Sequence, residues 1–230
     1  MLKKFNSLAN PEYDAYFKVR FAFDARRESV WQEVCHYLQR RYIPEDARIL
    51  DMGAGYCSFI NNVRGREKHA LDHSNIITDY AHADVITHVQ DCTLLDSFPD
   101  NSFDVVFASN LFEHLSREDM WQTLRELRRV LACEGRLILL QPNFACCPGE
   151  YFHDYTHLQI FTHESLADIL AVSGFEVRAV LPRFLPVNMK SRLALKLPLL
   201  HLITRVYLRS PFKPKAGQML VVADKQKGAE

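Results

Sequence analysis

Apolar residues recur along this chain in two rhythms. Between 24 and 42, Val30, Val34, Tyr37, Leu38 and Tyr42 stand three or four positions apart, which puts them on one face of a helix. Pro44 ends that helix, because the residue before a proline is pushed out of helical geometry. Beyond it the rhythm changes to short apolar runs at 47–51 (ARILD), 68–72 (KHALD), 85–89, 103–108 (FDVVFA) and 136–140 (RLILL). Such runs predict strands buried on both faces. Between the fourth and fifth, Ser116 with Asp119 forms a capping-box-like start, and Met120, Leu124, Leu127 and Leu131 make one apolar face. Gly135 is expected to stop this helix. A further helix at 163–173, stopped by Gly174, precedes strands at 175–180 and 218–223.

Strands alternating with helices predict the α/β class, as a Rossmann-like, seven-stranded, mostly parallel sheet with helices on both faces. One domain is expected over 1–230, with 1–43 an N-terminal helical segment and 1–20 a candidate lid. The 36 residues 182–217 exceed what a hairpin requires, so they read as a basic helical insertion between strands six and seven.

Charge alters the picture in one place. The formal net charge is zero, with 28 basic and 28 acidic residues, yet 177–223 holds nine Lys or Arg and no Asp or Glu. The six cysteines, at 35, 57, 92, 133, 146 and 147, show no paired ligand spacing, which predicts a reduced, cytoplasmic protein. Residues 1–17 carry no continuous apolar core of a signal peptide. The uncharged stretch 197–204 is too short to span a bilayer.

The segment Ile49-Leu50-Asp51-Met52-Gly53-Ala54-Gly55-Tyr56-Cys57 carries the most chemistry. A strand ending in an acidic residue and turning through G-x-G brings bare backbone to a ligand at the strand's carboxyl end. A carboxylate at Asp51 repels a dinucleotide pyrophosphate but suits a cationic amino group. The third glycine of the dinucleotide fingerprint is absent, with Cys57 or Ser58 in its place. Asp72 lies 21 residues beyond Asp51, a spacing suited to ribose hydroxyls. Asp91-Cys92 follows the third strand, and the runs D-N-S-F-D-V-V (100–106) and S-N-L-F-E-H-L (109–115) begin and follow the fourth.

Together these motifs resemble the class I S-adenosylmethionine-dependent methyltransferases, over roughly 45–180 and again near 218–224. The resemblance implies S-adenosylmethionine as cofactor. It also implies that Asp51, Gly53 and Gly55 meet the methionine part, Asp72 the ribose and Asp91 with Cys92 the adenine, with Asn110 in the same cofactor wall. Cys57 departs from the pattern, since many members carry glycine there.

His114 just past strand four, and Asp154 with His157 in the loop after strand five, are the candidate catalytic residues. A histidine is a suitable base for a hydroxyl acceptor, and Asp154 stands three residues from His157, close enough to orient it. The alternative for both loop residues is capping of the helix that follows or closing of the loop itself. No metal is expected, because His153, Asp154 and His157 lack a clean ligand set. The D-x-T-H…F-T-x-E-S-L…G-F-E-V pattern (154–177) is similar to methyltransferases acting on sugars in surface polysaccharide or glycolipid synthesis. That similarity implies O-methylation of a sugar or another small or lipid-linked hydroxyl acceptor.

Within the insertion, Pro198 suits a first helical position. Leu199, Leu202, Ile203 and Val206 form an apolar stripe, with His201, Arg205 and Arg209 on a polar one. This basic amphipathic pattern across 189–215 suits an anionic membrane surface at the inner face, or else a helix covering the site or packing an oligomer. Nucleic acid is not expected, since stacking aromatics are few. Two other readings stand beside the enzyme: a non-catalytic S-adenosylmethionine-binding or membrane-associated partner-binding protein, and an NAD-dependent oxidoreductase. Asp51 and the missing glycine speak against the oxidoreductase.

Overall fold

The computed structural model describes residues 23–186 and 199–227. The candidate lid at 1–20, Pro198 and the insertion residues 189–198 lie outside this range. The strands are β1 (Arg48–Met52), β2 (Glu67–Asp72), β3 (Val85–Val89), β4 (Phe103–Ser109), β5 (Leu131–Pro142), β6 (Phe175–Pro186) and β7 (Ala216–Lys225). The helices are α1 (Glu28–Gln39), α2 (Ile76–Tyr80), α3 (Arg117–Val130), α4 (Pro148–Tyr151), α5 (His163–Val172) and α6 (Leu200–Arg209). One seven-stranded sheet runs β3-β2-β1-β4-β5-β7-β6. Its first five strands are parallel, and β7 pairs antiparallel with both β5 and β6.

The apolar runs are unbroken because both faces are covered. Leu50, Val106, Leu139 and Val221 point into a core shared with α3 and α5. Their neighbours Ile49, Val105, Ile138, Leu140, Leu220 and Val222 point into the opposite core, shared with α1, α2 and α6. These side chains are at most 1 % exposed, and full burial of each contributes roughly 1.5–3 kcal/mol. At the amino ends of the strands the polar groups are paired. Asp104 accepts from the Arg48 backbone (2.8 Å) and guanidinium (3.0 Å), and Asp224 bridges Arg136 (2.7 Å) and Arg178 (2.9 Å). The D-N-S-F-D run therefore works as a clasp at the far end of the sheet from its carboxyl rim.

Three boundaries differ from the sequence reading. Gly135 does not stop α3. The chain turns extended at Leu131, whose burial in the core pairs it with Phe103. Gly135 lies inside β5, after Glu134 at φ +61°, where an added Cβ would stand 2.9 Å from the Ala132 carbonyl. Strand β6 continues to Pro186 instead of stopping at Val180, with register shifts around Leu181–Leu185. It is an edge strand, where prolines remove no ladder hydrogen bond. With β7 starting at Ala216, the insertion contracts to 187–215. Among the described residues, no helix is long and apolar enough to cross a membrane.

Gly174 follows α5 at φ +81°, the left-handed cap that glycine adopts without strain. Gly174→Ala is expected to cost about 1–2 kcal/mol, read as a lowered denaturation midpoint with unchanged slope. Gly174→Asn is expected to lose less.

Candidate active site

The carboxyl ends of β1, β2, β3 and β4 open into a cleft of about 970 Å³, at the upper end of the size range for a small-molecule site. Its floor is built from the glycine turn, Asp51 and Asp72. One wall comes from Gln90–Thr93 and Ser109–Leu111, the other from Phe23, Arg27, Glu28 and Trp31. The far end carries His114, Leu115, Tyr155, Thr156 and Leu158.

The turn after β1 is tied to β2 by two backbone bonds, from Gly53 (2.8 Å) and Ala54 (3.1 Å) to the Leu71 carbonyl. Gly53 and Gly55 stand at φ +73° and +51°, so the bare backbone expected from G-x-G is present. Cys57 also stands left-handed, at φ +58°. That geometry explains why glycine suits this position. The cysteine is buried, with its Sγ toward the Gly55 and Ile77 carbonyls, and it does not line the cleft.

Asp72 shapes the turn as well as lining it. One carboxylate oxygen accepts from Gly55 N (3.0 Å), the other from Ser74 N (2.9 Å). Asp51 is 2 % exposed, and its Oδ2 has no hydrogen-bond partner. Burial, reinforced by the nearby Asp72 charge, pushes its carboxyl up to about 8. Asp91 accepts from Thr93 N (2.8 Å), Cys92 leans on the core below, and Asn110 exchanges hydrogen bonds with Ser109 and Gln218. All seven residues expected at the cofactor thus meet in one cleft.

Arg27 escaped the sequence reading. It stands at the N-terminus of α1, its Nε buried without a hydrogen-bond partner, and burial lowers its pKa. The aromatic cluster of Phe23, Tyr56 and Tyr80, with centroids 4.7–5.4 Å apart, was also missed. Neither carries a motif, because what places them is the docking of α1 against the glycine turn. Glu28 does this, accepting from Ser58 (2.5 Å) and Asn62 (3.0 Å).

At the far end, a 3-10 turn (Phe112–His114) follows β4. His114 Nδ1 lies 2.9 Å from Thr156 Oγ1, and that hydroxyl donates to Asp154 Oδ1 at 2.6 Å. The hydroxyl's single proton goes to the carboxylate, so His114 donates from Nδ1. Asp154 therefore orients His114 through Thr156. The His157 ring packs edge-on against His114 (4.9 Å) and Tyr151 (4.8 Å). Of the three expected catalytic residues, His114 lines the cleft, whereas Asp154 and His157 form the layer behind it. Neither caps α5, which is closed by a Thr162–Ser165 capping box.

Glu113, unremarked in the sequence as an individual residue, is fully buried in that layer. Both its carboxylate oxygens lack hydrogen-bond partners, while its carbonyl accepts from Leu158 (2.7 Å) and Gln159 (3.1 Å). Burial, with a smaller contribution from Asp154, raises its carboxyl to about 8. The signal was present in the E-H-L run, but a glutamate there reads as a surface residue.

Asp51 and Glu113 give the ligand-free protein a pH dependence. Both are protonated in folded and unfolded chains below about pH 4. As pH rises toward 8 the unfolded chain ionises and the fold does not, so stability falls across that window and levels off above it. Asp51→Asn and Glu113→Gln are each expected to flatten the decline in denaturation midpoint. An unchanged slope in both variants would show that the carboxyls titrate normally.

Residues 50–139 match the family model described as a methyltransferase domain. The chain is 26 % identical over 150 residues to the phosphoethanolamine N-methyltransferase of Plasmodium falciparum, covering 57 % of this chain and 54 % of that protein. It thus spans about half the length of that relative. Among solved structures, it superposes on a chain of the Haloferax volcanii complex between the Trm112 methyltransferase activator and a methyltransferase. The TM-score is 0.69, at 17 % identity, over 96 % of this chain and 98 % of that one. It also superposes on an S-adenosylmethionine-dependent methyltransferase from Archaeoglobus fulgidus, with TM-score 0.61 and 22 % identity over 93 % and 100 % of the two chains. Residues 50–139 are similar to a methyltransferase domain, and the fold is the one shared by these S-adenosylmethionine-dependent methyltransferases.

Proposed function

We propose that the protein transfers the methyl group of S-adenosylmethionine to a hydroxyl of a sugar or another small or lipid-linked acceptor. The observation that carries the cofactor half is the buried, partnerless Asp51 oxygen in the same cleft as Arg27, whose Nε is buried without a hydrogen-bond partner. An amino acid bears one cation and one anion, and these two groups complement them, Asp51 the ammonium and Arg27 the carboxylate. Asp72, whose oxygens accept from the Gly55 and Ser74 backbone on the cleft floor, suits a ribose hydroxyl. Asp91 and Cys92 suit the adenine edge.

In the transfer, the acceptor oxygen attacks the methyl carbon, and the C–S bond breaks with its electron pair passing to sulfur. The acceptor proton must leave, and His114 is the base in the far wall. Most of the barrier is lowered by alignment and exclusion of water, which the apolar surround of Leu111, Leu115 and Leu158 supplies. That neutral surround favours an uncharged acceptor. The Plasmodium relative is named for methylation of a nitrogen, so phosphoethanolamine is the comparison substrate.

A second element rests on α6. Leu199 and Val206 are each 61 % exposed, and Leu202 and Ile203 each 45 %. His201, Arg209 and Lys215 flank them, whereas Arg205 pairs with Glu33 (2.7 Å) and Lys213 caps the helix carbonyls. An apolar stripe edged by Arg209 and Lys215 suits an anionic membrane surface, which would bring a lipid-linked acceptor to the cleft.

Calorimetry is expected to show micromolar binding of S-adenosylmethionine, weakened at least tenfold (about 1.4 kcal/mol) by Asp51→Asn, Asp72→Ala or Arg27→Met. His114→Ala should leave affinity within a few-fold yet slow methyl transfer roughly 10²–10⁴-fold. Absence of binding by folded protein would refute the enzyme reading, and transfer to phosphoethanolamine in preference to hydroxyl acceptors would refute the acceptor class. For α6, binding to anionic but not neutral vesicles, weakening with salt, is expected. Binding to neither would remove the membrane contact.

A further inference from the structure

Behind the far wall of the cleft lies a cluster that the proposed transfer does not use as such. Glu113, His114 and His157 each offer one ligand atom, and these atoms lie within 4.8 Å of one another. Glu113 is fully buried, and neither of its carboxylate oxygens has a hydrogen-bond partner. A buried carboxylate left without donors is costly unless a cation or donor completes it. Two imidazoles at its side cannot both be spectators of that demand.

We propose that Glu113, His114 and His157 bind a divalent transition-metal ion of the zinc class, with its open coordination position toward the cleft. Tetrahedral ligand bonds of about 2.0–2.2 Å set donors about 3.4 Å apart, so the cluster closes by up to about 1.4 Å on taking the ion. Two imidazoles and one carboxylate form a nitrogen-rich ligand set, which selects zinc, iron or nickel over magnesium, calcium or manganese. The outer layer is in place as well. His114 Nδ1 is held by Thr156, and Thr156 by Asp154, the arrangement that fixes a ligating imidazole's ring and tautomer. The hydrogen bonds from Leu158 and Gln159 to the Glu113 carbonyl brace the His157 loop against the Glu113 turn, so the three donors come from two segments locked together.

This rests on the methyltransferase reading and deepens its acceptor side. A cation in the cluster coordinates the acceptor hydroxyl oxygen and makes its proton acidic near neutral pH. The proton then passes to solvent, the oxygen takes the methyl group, and the sulfonium's bonding pair returns to sulfur. His114 serves here as a ligand in place of a base.

The test is titration of purified, metal-stripped protein with Co²⁺ alone, followed by its visible absorption, with Zn²⁺ competition. One equivalent is expected to bind, displaced by Zn²⁺. Affinity should fall roughly 100-fold or more in Glu113→Gln and in His157→Ala, each confirmed as folded by circular dichroism and by retained S-adenosylmethionine binding. Thr156→Val, which removes only the outer contact, is expected to lose less. Two results overturn the site. One is the absence of Co²⁺ binding in wild-type protein. The other is binding unaffected by both variants, which would place the ion elsewhere, as at the His69–His88 pair (2.9 Å). Either result in protein that still binds S-adenosylmethionine removes the metal alone and leaves His114 as the base. Loss of S-adenosylmethionine binding is a separate measurement and bears on the methyltransferase reading itself.

Discussion

Covering both faces of the sheet leaves the chain one rim on which to do chemistry. Leu50, Val106 and Leu139 are spent on one core, Ile49, Val105 and Ile138 on the other. Four aspartates stand near strand ends, Asp51 and Asp72 at the carboxyl rim and Asp104 and Asp224 at the amino rim. At the amino rim they are paired off, Asp104 with Arg48 and Asp224 with two arginines. At the carboxyl rim, Asp51 is held under the glycine turn without a donor for one of its oxygens. The parallel register that aligns Asp51 with Ala70 and Phe107 is therefore the constraint on which cleft, turn and carboxylates all depend.

The rim carries its cost in the unliganded state. Two buried carboxyls, Asp51 and Glu113, stand near opposite ends of one cleft system, each raised well above the ordinary carboxylate range. Such groups are preorganised for cations, since the fold has already supplied the desolvation and the ligand need only supply the charge. The two ends differ in surroundings. The Asp51 end is bounded by backbone and by the Arg27 guanidinium, the Glu113 end by imidazoles and a hydroxyl.

Most of the frame was legible in the sequence because it rests on local pattern. ARILD, KHALD and FDVVFA mark β1, β2 and β4 within a residue or so, and Ser116 caps α3 as read. The cleft floor was legible because a strand ending in Asp51 and turning through G-x-G brings bare backbone to the carboxyl end of the sheet. Other features depended on contacts the linear chain hides. Gly135 looked like a stop until the burial of Leu131 had decided where α3 ends. β6 ran past two prolines because it is an edge. Asp154 was matched to the nearer His157, whereas the contact that carries it to the cleft runs through Thr156 to His114, 40 residues earlier in the sequence than Asp154. Arg27 carries no signature, and Glu113 only its place in the E-H-L run, since their meaning lies in what surrounds them once folded.

Helix α1 belongs to two assemblies at once. Its first turns supply Glu28 and Trp31 to the cleft, with Arg27 at its cap, and Glu33 further along holds Arg205 of α6. A helix is stiff over so short a distance, about 1.5 Å per residue, so its two ends shift together. Any event that draws α6 outward also pulls on the wall that closes over the cofactor. Events at the two places are then thermodynamically linked, and the linkage has the same size and sign in both directions. A surface that responds to an occupied cleft is one that can also report it.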